Sequence, residues 1–214
     1  MSDPKPQFKP QIIDVAILVD APRIIYHYGS NKAKDNLKFS DYTQLGTKGM
    51  GVGYVYMATT WWDAQGEGGS ELDVFGTKGN TIRWRMQTLS MGGRADGSLD
   101  ATAPVAYQAF IRGFVISQGE TCITAPVQKT ETVDSWGGDE DGKVIRKKVV
   151  DVYWEAEVVQ PGAVIYHTPF NIFCNCPGCS DNGDGGDDNG TGGGGGGGNG
   201  CGGYQHDPWI TAQQ

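Results

Sequence analysis

The stretch over residues 80–90 constrains the fold most, because apolar and polar side chains alternate through its centre. It reads Asn-Thr-Ile-Arg-Trp-Arg-Met-Gln-Thr-Leu-Ser. A period of two with β-branched and aromatic residues is typical of a strand with one buried face. Gly79 before the stretch and Gly92 after it are turn signals. The sequence therefore predicts a half-buried strand whose Arg83 and Arg85 keep their charges in solvent.

Five further segments have the composition of strands, and no segment shows sustained helical periodicity. They are residues 12–20, 52–60, 106–117, 144–159 and 163–173. Residues 12–20 are apolar on both faces, which is typical of a central strand, whereas residues 144–159 alternate between a buried and a wet face. Residues 204–212 have the composition of a short edge strand, where Pro208 costs no ladder hydrogen bond. Pro22 is suited to the start of a short helix or turn.

Strands separated by glycine and proline turns predict an all-β chain that forms a single antiparallel β-sandwich of jelly-roll type. We expect roughly seven to ten strands in it. Residues 1–10 contain three prolines and are expected to form an N-terminal arm, with the sandwich domain over residues 11–214. Residues 174–203 combine cysteines with a glycine tract, so we expect a flexible loop inserted before the last strand.

The charge of the chain excludes two classes of partner. A net charge of −8 argues against nucleic acid, which requires a basic patch, and against an anionic membrane surface. Residues 1–6 lack the apolar core of a signal peptide, and no apolar run approaches the ~20 residues of a transmembrane helix. We therefore expect a cytoplasmic protein with no signal peptide and no transmembrane segment.

Four motifs occur in this order along the chain. They are Ile13-Asp14-Val15 to Val19-Asp20-Ala21 with Ile24-Ile25; Tyr54-Val55-Tyr56-Met57; Gly79-Asn80-Thr81-Ile82-Arg83-Trp84-Arg85 to Leu89-Ser90; and Tyr204-x-x-Asp207-Pro208-x-Ile210. Together they make the chain similar to the AidA/PixA inclusion body protein family over residues 11–212. The chain departs from that family at His206, where the family favours Trp, and in its cysteine- and glycine-rich insertion.

The resemblance implies a small cytoplasmic bacterial protein that accumulates as dense inclusions and is associated with host interaction. No enzymatic activity is established for the family, so no catalytic residues are carried over and we expect none. We expect a non-enzymatic, self-associating accessory or host-interaction factor that acts by binding, with another copy of itself as its first partner. No cofactor is expected, apart from the zinc considered next.

Four cysteines lie in or beside the insertion: Cys174, Cys176, Cys179 and Cys201. Three readings stay open: free thiols, a disulfide from Cys174 or Cys176 to Cys201, or a tetrahedral zinc site. The Cys-x-Cys-x-x-Cys spacing is not a common zinc pair. Cys122 lies elsewhere in the chain and is expected to be a small buried hydrophobe.

Trp61 and Trp62 are adjacent and precede a glycine turn, so at least one ring can be exposed. An exposed flat ring suits stacking on a sugar or on a neighbouring subunit. The alternative function is therefore a carbohydrate-binding, lectin-like β-sandwich with a glycan partner. A simpler reading places one ring in the core and the other over the end of the sandwich. A hydrolase with an unrecognised site is the third and weakest hypothesis.

Overall fold

The computed structural model describes residues 10–29, 38–45, 53–89, 107–138, 141–174, 199–206 and 209–213. The strands are β1 Ile12–Val19, β2 Thr43–Gln44, β3 Val55–Thr59, β4 Ala64–Gln65, β5 Asp73–Thr77, β6 Thr81–Thr88, β7 Tyr107–Ile111, β8 Val115–Gln118, β9 Val127–Gly138, β10 Val144–Glu157, β11 Gly162–Cys174, β12 Asn199–His206 and β13 Trp209–Gln213. A helix, α1 Ala21–Tyr28, follows β1, and a 3-10 turn spans Phe39–Asp41. The prediction of a mostly β chain is confirmed.

The first sheet has the strand order β3-β1-β6-β10-β9. Its centre is formed by β1 and β6, as their sequences predict. These two strands run parallel, with Ile12 opposite Thr81 and Val19 opposite Thr88. Ile13, Ile17, Ile82 and other alternate side chains of both strands are buried, so this pair provides the wall of the core on its side.

The second sheet is built around β11, which has strand partners on both of its edges. One edge contacts β12 and β13, and the other contacts β7 and β8. Outside β12 and β13 lie β2, β5 and β4. Even-numbered residues of β11 from Val164 to Cys174 are buried, so this face closes the core from the other side.

The prediction of an antiparallel jelly roll is wrong in its strand pairing. β1–β6, β12–β2 and β13–β5 are parallel pairs, so both sheets are mixed. Alternation specifies which face of a strand is buried, but it does not specify the direction of the neighbouring strand. The last segment also lies inside the second sheet, between β11 and the strands β2 and β5, and not at an edge.

Most of the inserted loop lies outside the described residues, but its two ends are described. β11 ends at Cys174 and β12 begins at Asn199, and these two residues lie opposite each other. The last strands therefore pair back into the sheet, as predicted. Because the loop ends are adjacent, a long insertion costs little more in closure entropy than a short one. Residues 1–9 of the expected N-terminal arm also lie outside the described residues.

The two sheets pack across one hydrophobic core, in which Trp84 is the largest fully buried side chain. Trp84 Nε1 of the first sheet donates to Tyr166 Oη of the second at 3.0 Å. The ring of Phe114 lies 4.8 Å from that of Trp84. Burial raises the pKa of Tyr166, although the Trp84 hydrogen bond acts in the opposite direction, so the hydroxyl stays neutral.

The segment predicted as one strand over residues 106–117 is two strands, β7 and β8, interrupted at Arg112–Phe114. Phe110 is exposed on β7, whereas Phe114 packs against the core. The interruption contains Gly113, which weakens a strand and lets the buried face change. A uniform alternation over this segment would have placed both phenylalanines on one face.

α1 has the features of a short helix that begins directly after a strand. Asp20 caps it by accepting a hydrogen bond from the Arg23 N–H at 3.2 Å, and a proline lies in its first turn. Ala21 and Ile24 bury one face of the helix. Within the described residues, no helix has the length and apolar character needed to cross a membrane.

Candidate functional site

The β9–β10 hairpin projects beyond the first sheet. Only Trp154–Glu157 of β10 pair with β6, whereas β10 from Val144 to Tyr153 pairs with β9 alone among the described strands. At about 3.3 Å per residue these ten residues span roughly 30 Å, of which the part from Val144 to Val149 lies beyond the groove at Val150. The hairpin is therefore a two-stranded arm whose faces are not covered by the second sheet along most of its length.

Large apolar side chains are exposed on one face of this arm. Val144 is 74% exposed, Val150 68% and Trp136 69%. Val144 and Val150 share the β10 face of Trp154, and Trp136 lies opposite Arg146 on that same face. We call Trp136, Val144 and Val150 the hairpin patch. The alternation of β10 predicts that this face is buried, but the hydrophobic core does not extend to it and the face stays exposed.

Ion pairs separate the two ends of the hairpin patch. Asp134 of β9 pairs with Arg146, and its other oxygen lies 2.8 Å from Lys148 Nζ. These three residues keep the middle of the arm polar. The apolar area is therefore divided between the tip, at Trp136 and Val144, and the base, at Val150.

A groove lies at the base of the arm, between β10 and β7. Its volume is about 190 Å³. It is lined by Trp84, Met86, Gln108, Ala109, Phe110, Ile111, Gln128, Val150, Asp151, Val152 and Trp154. Pockets that enclose small ligands measure roughly 300–1,000 Å³. This groove is smaller, and its lining combines apolar side chains with the polar Gln108, Gln128 and Asp151, so it does not have the form of an enclosed small-molecule active site.

Arg83 and Arg85 hold the base of the arm from the opposite face. Arg85 pairs with Asp14 of β1, with Asp151 of β10 at 2.8 Å and with Glu131 of β9 at 3.7 Å. Arg83 lies 3.3 Å from Glu155. These pairs connect four neighbouring strands, so the arm is attached to the centre of the sheet by charge as well as by backbone hydrogen bonds.

Both guanidinium groups also cover one aromatic ring. The central carbons of Arg83 and Arg85 lie 4.7 Å and 4.8 Å from the Tyr153 ring centroid. This arrangement buries Tyr153 on a face that the sequence predicts to be wet. Burial lowers the pKa of Arg85, but the Asp151 hydrogen bond and the charge of Asp14 outweigh it, and the pKa is raised overall. The arginines are thus partly buried structural cations and not free solvent-facing charges.

Trp61 and Trp62 lie at the other edge of the first sheet, after β3. Trp61 Nε1 donates to the Phe75 carbonyl at 2.9 Å, and its ring packs against the core. Trp62 is 81% exposed, and its ring centroid lies 5.8 Å from that of Trp61. Because β3 and β9 form opposite edges of the sheet, the tryptophan pair and the hairpin are separate surfaces.

The cysteine cluster lies mostly outside the described residues. Cys174 is disulfide-bonded, whereas Cys122 is free and buried, as expected. Cys176 and Cys179 lie outside the described residues, as does the side chain of Cys201. No group of three or more His, Cys, Asp or Glu residues suited to a metal occurs in the described part of the chain. The partner of this disulfide remains a prediction, and zinc binding remains one only for the other thiols, because a sulfur in a disulfide is not a thiolate ligand.

The hairpin was not anticipated as a functional surface, because β9 is polar on both faces. Its sequence, Val-Gln-Lys-Thr-Glu-Thr-Val-Asp-Ser-Trp-Gly-Gly, has no apolar alternation. The available signal was its content of Thr and Val, which are β-branched and favour strands. A second signal was the turn at Gly142, directly before the alternating β10.

Comparison with known proteins gives two results. The profile of the PixA family, described as inclusion body protein, matches residues 11–211. A crystal structure of the PixA inclusion body protein from Burkholderia cenocepacia J2315 has a similar fold, with a TM-score of 0.64 at 13% identity. The similarity covers 98% of this chain and 99% of that one. No curated protein sequence matches the chain. Because the family profile matches nearly the whole sequence, the chain belongs to the PixA inclusion body protein family.

Proposed function

We propose that this protein is a non-enzymatic, self-associating protein of the inclusion-body type, which accumulates in the cytoplasm and acts by binding as an accessory or host-interaction factor. The observation that carries the proposal is the projecting hairpin, with Trp136, Val144 and Val150 exposed on an arm whose outer edge pairs with none of the described strands. Exposed apolar side chains and open edges both favour association with another protein surface.

The edges of the two sheets differ in how well they are suited to association. β9 has twelve residues, whereas β3, at the opposite edge, has five. In the second sheet, β7 and β8 have five and four residues and are interrupted between them. Short edges are a common protection against pairing with another chain. The hairpin therefore provides the longest open edge among the described strands.

The described site also favours binding over catalysis. Asp151 is the only acidic side chain among the residues that line the groove beside the hairpin, and it already pairs with Arg85. The charged residues nearby are likewise engaged with one another across four strands. Such a network stabilises the sheet and leaves no carboxylate pair or nucleophile with an activating base in the groove.

Self-association is tested by sedimentation velocity of the purified full-length chain over increasing concentration. We expect the sedimentation coefficient to rise with concentration, because exposed hairpin surfaces on different molecules become paired. A constant monomer value up to the highest soluble concentration would contradict the proposal. Solutions of reduced and oxidised protein should behave alike, since Cys174 lies at the end of β11 and not on the hairpin.

Glycan binding is the second candidate, and the exposure of Trp62 favours it. Trp62 presents its ring to solvent, whereas Trp61 is fixed by the Phe75 carbonyl, so only Trp62 is free to stack on a sugar. If the chain binds glycans, Trp62→Ala should weaken binding on a glycan array by at least about tenfold. Trp136→Ala is the matched control, because it removes an exposed tryptophan from the other edge. Absence of saturable binding by the unmodified chain would refute this candidate.

A further inference from the structure

We propose that two copies of this chain pair edge to edge through β9, as antiparallel strands related by a two-fold axis at Thr130. The inference rests on the proposed self-association and names its first partner, which is a second copy. It also specifies which residues lie opposite one another. The pairing would join two five-stranded sheets into one continuous sheet.

The edge of β9 is regular over its full length. Its register with β10 runs without a shift from Val127 opposite Glu155 to Gly138 opposite Val144. No described strand pairs with its other edge. Every second residue of β9 therefore directs its backbone N–H and C=O away from β10, as a template for another strand. Pro126 has no N–H and limits the new ladder at one end.

The symmetry restricts the register of such a pair. A two-fold axis perpendicular to the sheet keeps each side chain on its own face, so the axis must pass through a residue and not between two residues. With the axis at Thr130, Lys129 of each copy lies opposite Glu131 of the other. Val127 then lies opposite Val133, and Gln128 opposite Thr132. Opposite charges and apolar pairs directly across an antiparallel ladder are stabilising.

The neighbouring registers do not give this match. An axis at Lys129, Glu131 or Asp134 places that charged residue opposite its own copy, which is destabilising. An axis at Thr132 or Val133 places Lys129 opposite Ser135 or Gly137, so no charge is matched. Thr130 is therefore the centre that the charges of β9 favour.

Lys129 and Glu131 are accessible for pairing with a second copy. Their side chains are 48% and 41% exposed. Within the chain, Lys129 lies 3.8 Å from Glu155 and Glu131 lies 3.7 Å from Arg85, at the outer limit of an ion pair. Contacts this long do not fix the position of either side chain, so both can reach across the open edge of β9 to a second copy.

The test uses two charge reversals, Lys129→Glu and Glu131→Lys. Each variant alone places two pairs of like charges across the two-fold axis, so we expect its dimer Kd to rise by at least about tenfold. In a mixture, each copy of one variant lies opposite a complementary copy of the other. We therefore expect heterodimers to form with nearly the affinity of the unmodified protein, measured by native mass spectrometry. The double variant Lys129→Glu/Glu131→Lys should likewise restore the homodimer.

Lys147→Glu is the matched control, because it makes the same charge change on β10, whose unpaired edge lies on the opposite side of the hairpin from that of β9. It should leave the dimer Kd within about twofold, and a loss of dimer in this variant would place the interface on β10. Thermal unfolding of each variant confirms that it is folded. If both single variants dimerise like the unmodified chain, the β9 edge is not the interface, although self-association stands. If the single variants do not dimerise, and neither their mixture nor the double variant forms dimers again, the register at Thr130 is wrong. If the unmodified chain stays monomeric, the proposed function itself fails.

Discussion

Replacing Trp84 by alanine is expected to lower the free energy of unfolding by about 4 kcal/mol, the largest effect of any single substitution considered. The side chain is fully buried between the two sheets and contacts Phe114 and Tyr166. Its removal leaves a cavity and also leaves the buried Tyr166 hydroxyl without its donor. The total free energy of unfolding of a domain is usually about 5–15 kcal/mol. A loss of this size therefore approaches the whole stability of a domain at the lower end of that range.

Chemical denaturation at low protein concentration measures this effect apart from assembly. Tyr166→Phe removes the hydroxyl alone and should cost only about 1 kcal/mol. Trp62→Ala is the matched surface control, and we expect a change within about 0.5 kcal/mol, because Trp62 is exposed. A Trp84→Ala protein as stable as the Trp62→Ala protein would show that the two sheets do not pack around Trp84.

Changing the hairpin patch to polar residues is expected to stop assembly at the dimer. A two-fold pair closes on itself, so growth into an inclusion requires a second surface. The exposed Trp136, Val144 and Val150 provide one, because they lie on a face of the arm that edge pairing leaves open. In the triple variant Trp136→Ser/Val144→Thr/Val150→Thr, the concentration needed for species larger than the dimer should rise by about 100-fold.

Sedimentation velocity distinguishes the dimer from larger species in this variant. The control is Tyr26→Ser/Trp62→Ser, which removes exposed aromatic rings away from the hairpin. We expect that control to assemble like the unmodified protein, and the thermal midpoint of both variants to stay unchanged, because exposed side chains contribute little to folding. Large species formed equally well by the triple variant would exclude the hairpin patch as the growth surface.

Alternation was sufficient to predict the strands that line the core. β1 and β6 are central, as predicted, and β11 and the part of β10 that pairs with β6 line the core with alternate side chains. In each, one set of alternate side chains must leave water, and the hydrophobic effect selects the face. Pro22 likewise marked the start of α1 by its fixed φ angle, whereas the Asp20 cap was found only in the structure.

Strand direction and neighbour choice could not be obtained in this way. The parallel pairing of β1 with β6 depends on the path of the chain between them, which local alternation does not encode. For the same reason the last segment was predicted at an edge, although it lies beside β11. A proline in that segment favoured an edge, but the pairing of distant strands decided its position.

The candidate surface was hidden for a related physical reason. β9 has no buried face, so the sequence contains no hydrophobic pattern to reveal it. Val150 was predicted to be buried because it continues the alternation of Trp154, yet the arm extends beyond the core. The tryptophan pair was predicted more closely, since one ring packs against the core and the other is exposed.

Hydrogen exchange at the amides of β9, compared between dilute and concentrated protein, tests the central claim most directly. Edge amides that face solvent in the monomer become hydrogen-bonded when a second β9 pairs with them. We predict that every second amide between Val127 and Val133 becomes protected as concentration rises, while the edge strand β3 is unchanged. Protection that appears at β3 or at β7 instead, or assembly with no new protection in β9, would contradict an interface formed by the hairpin edge.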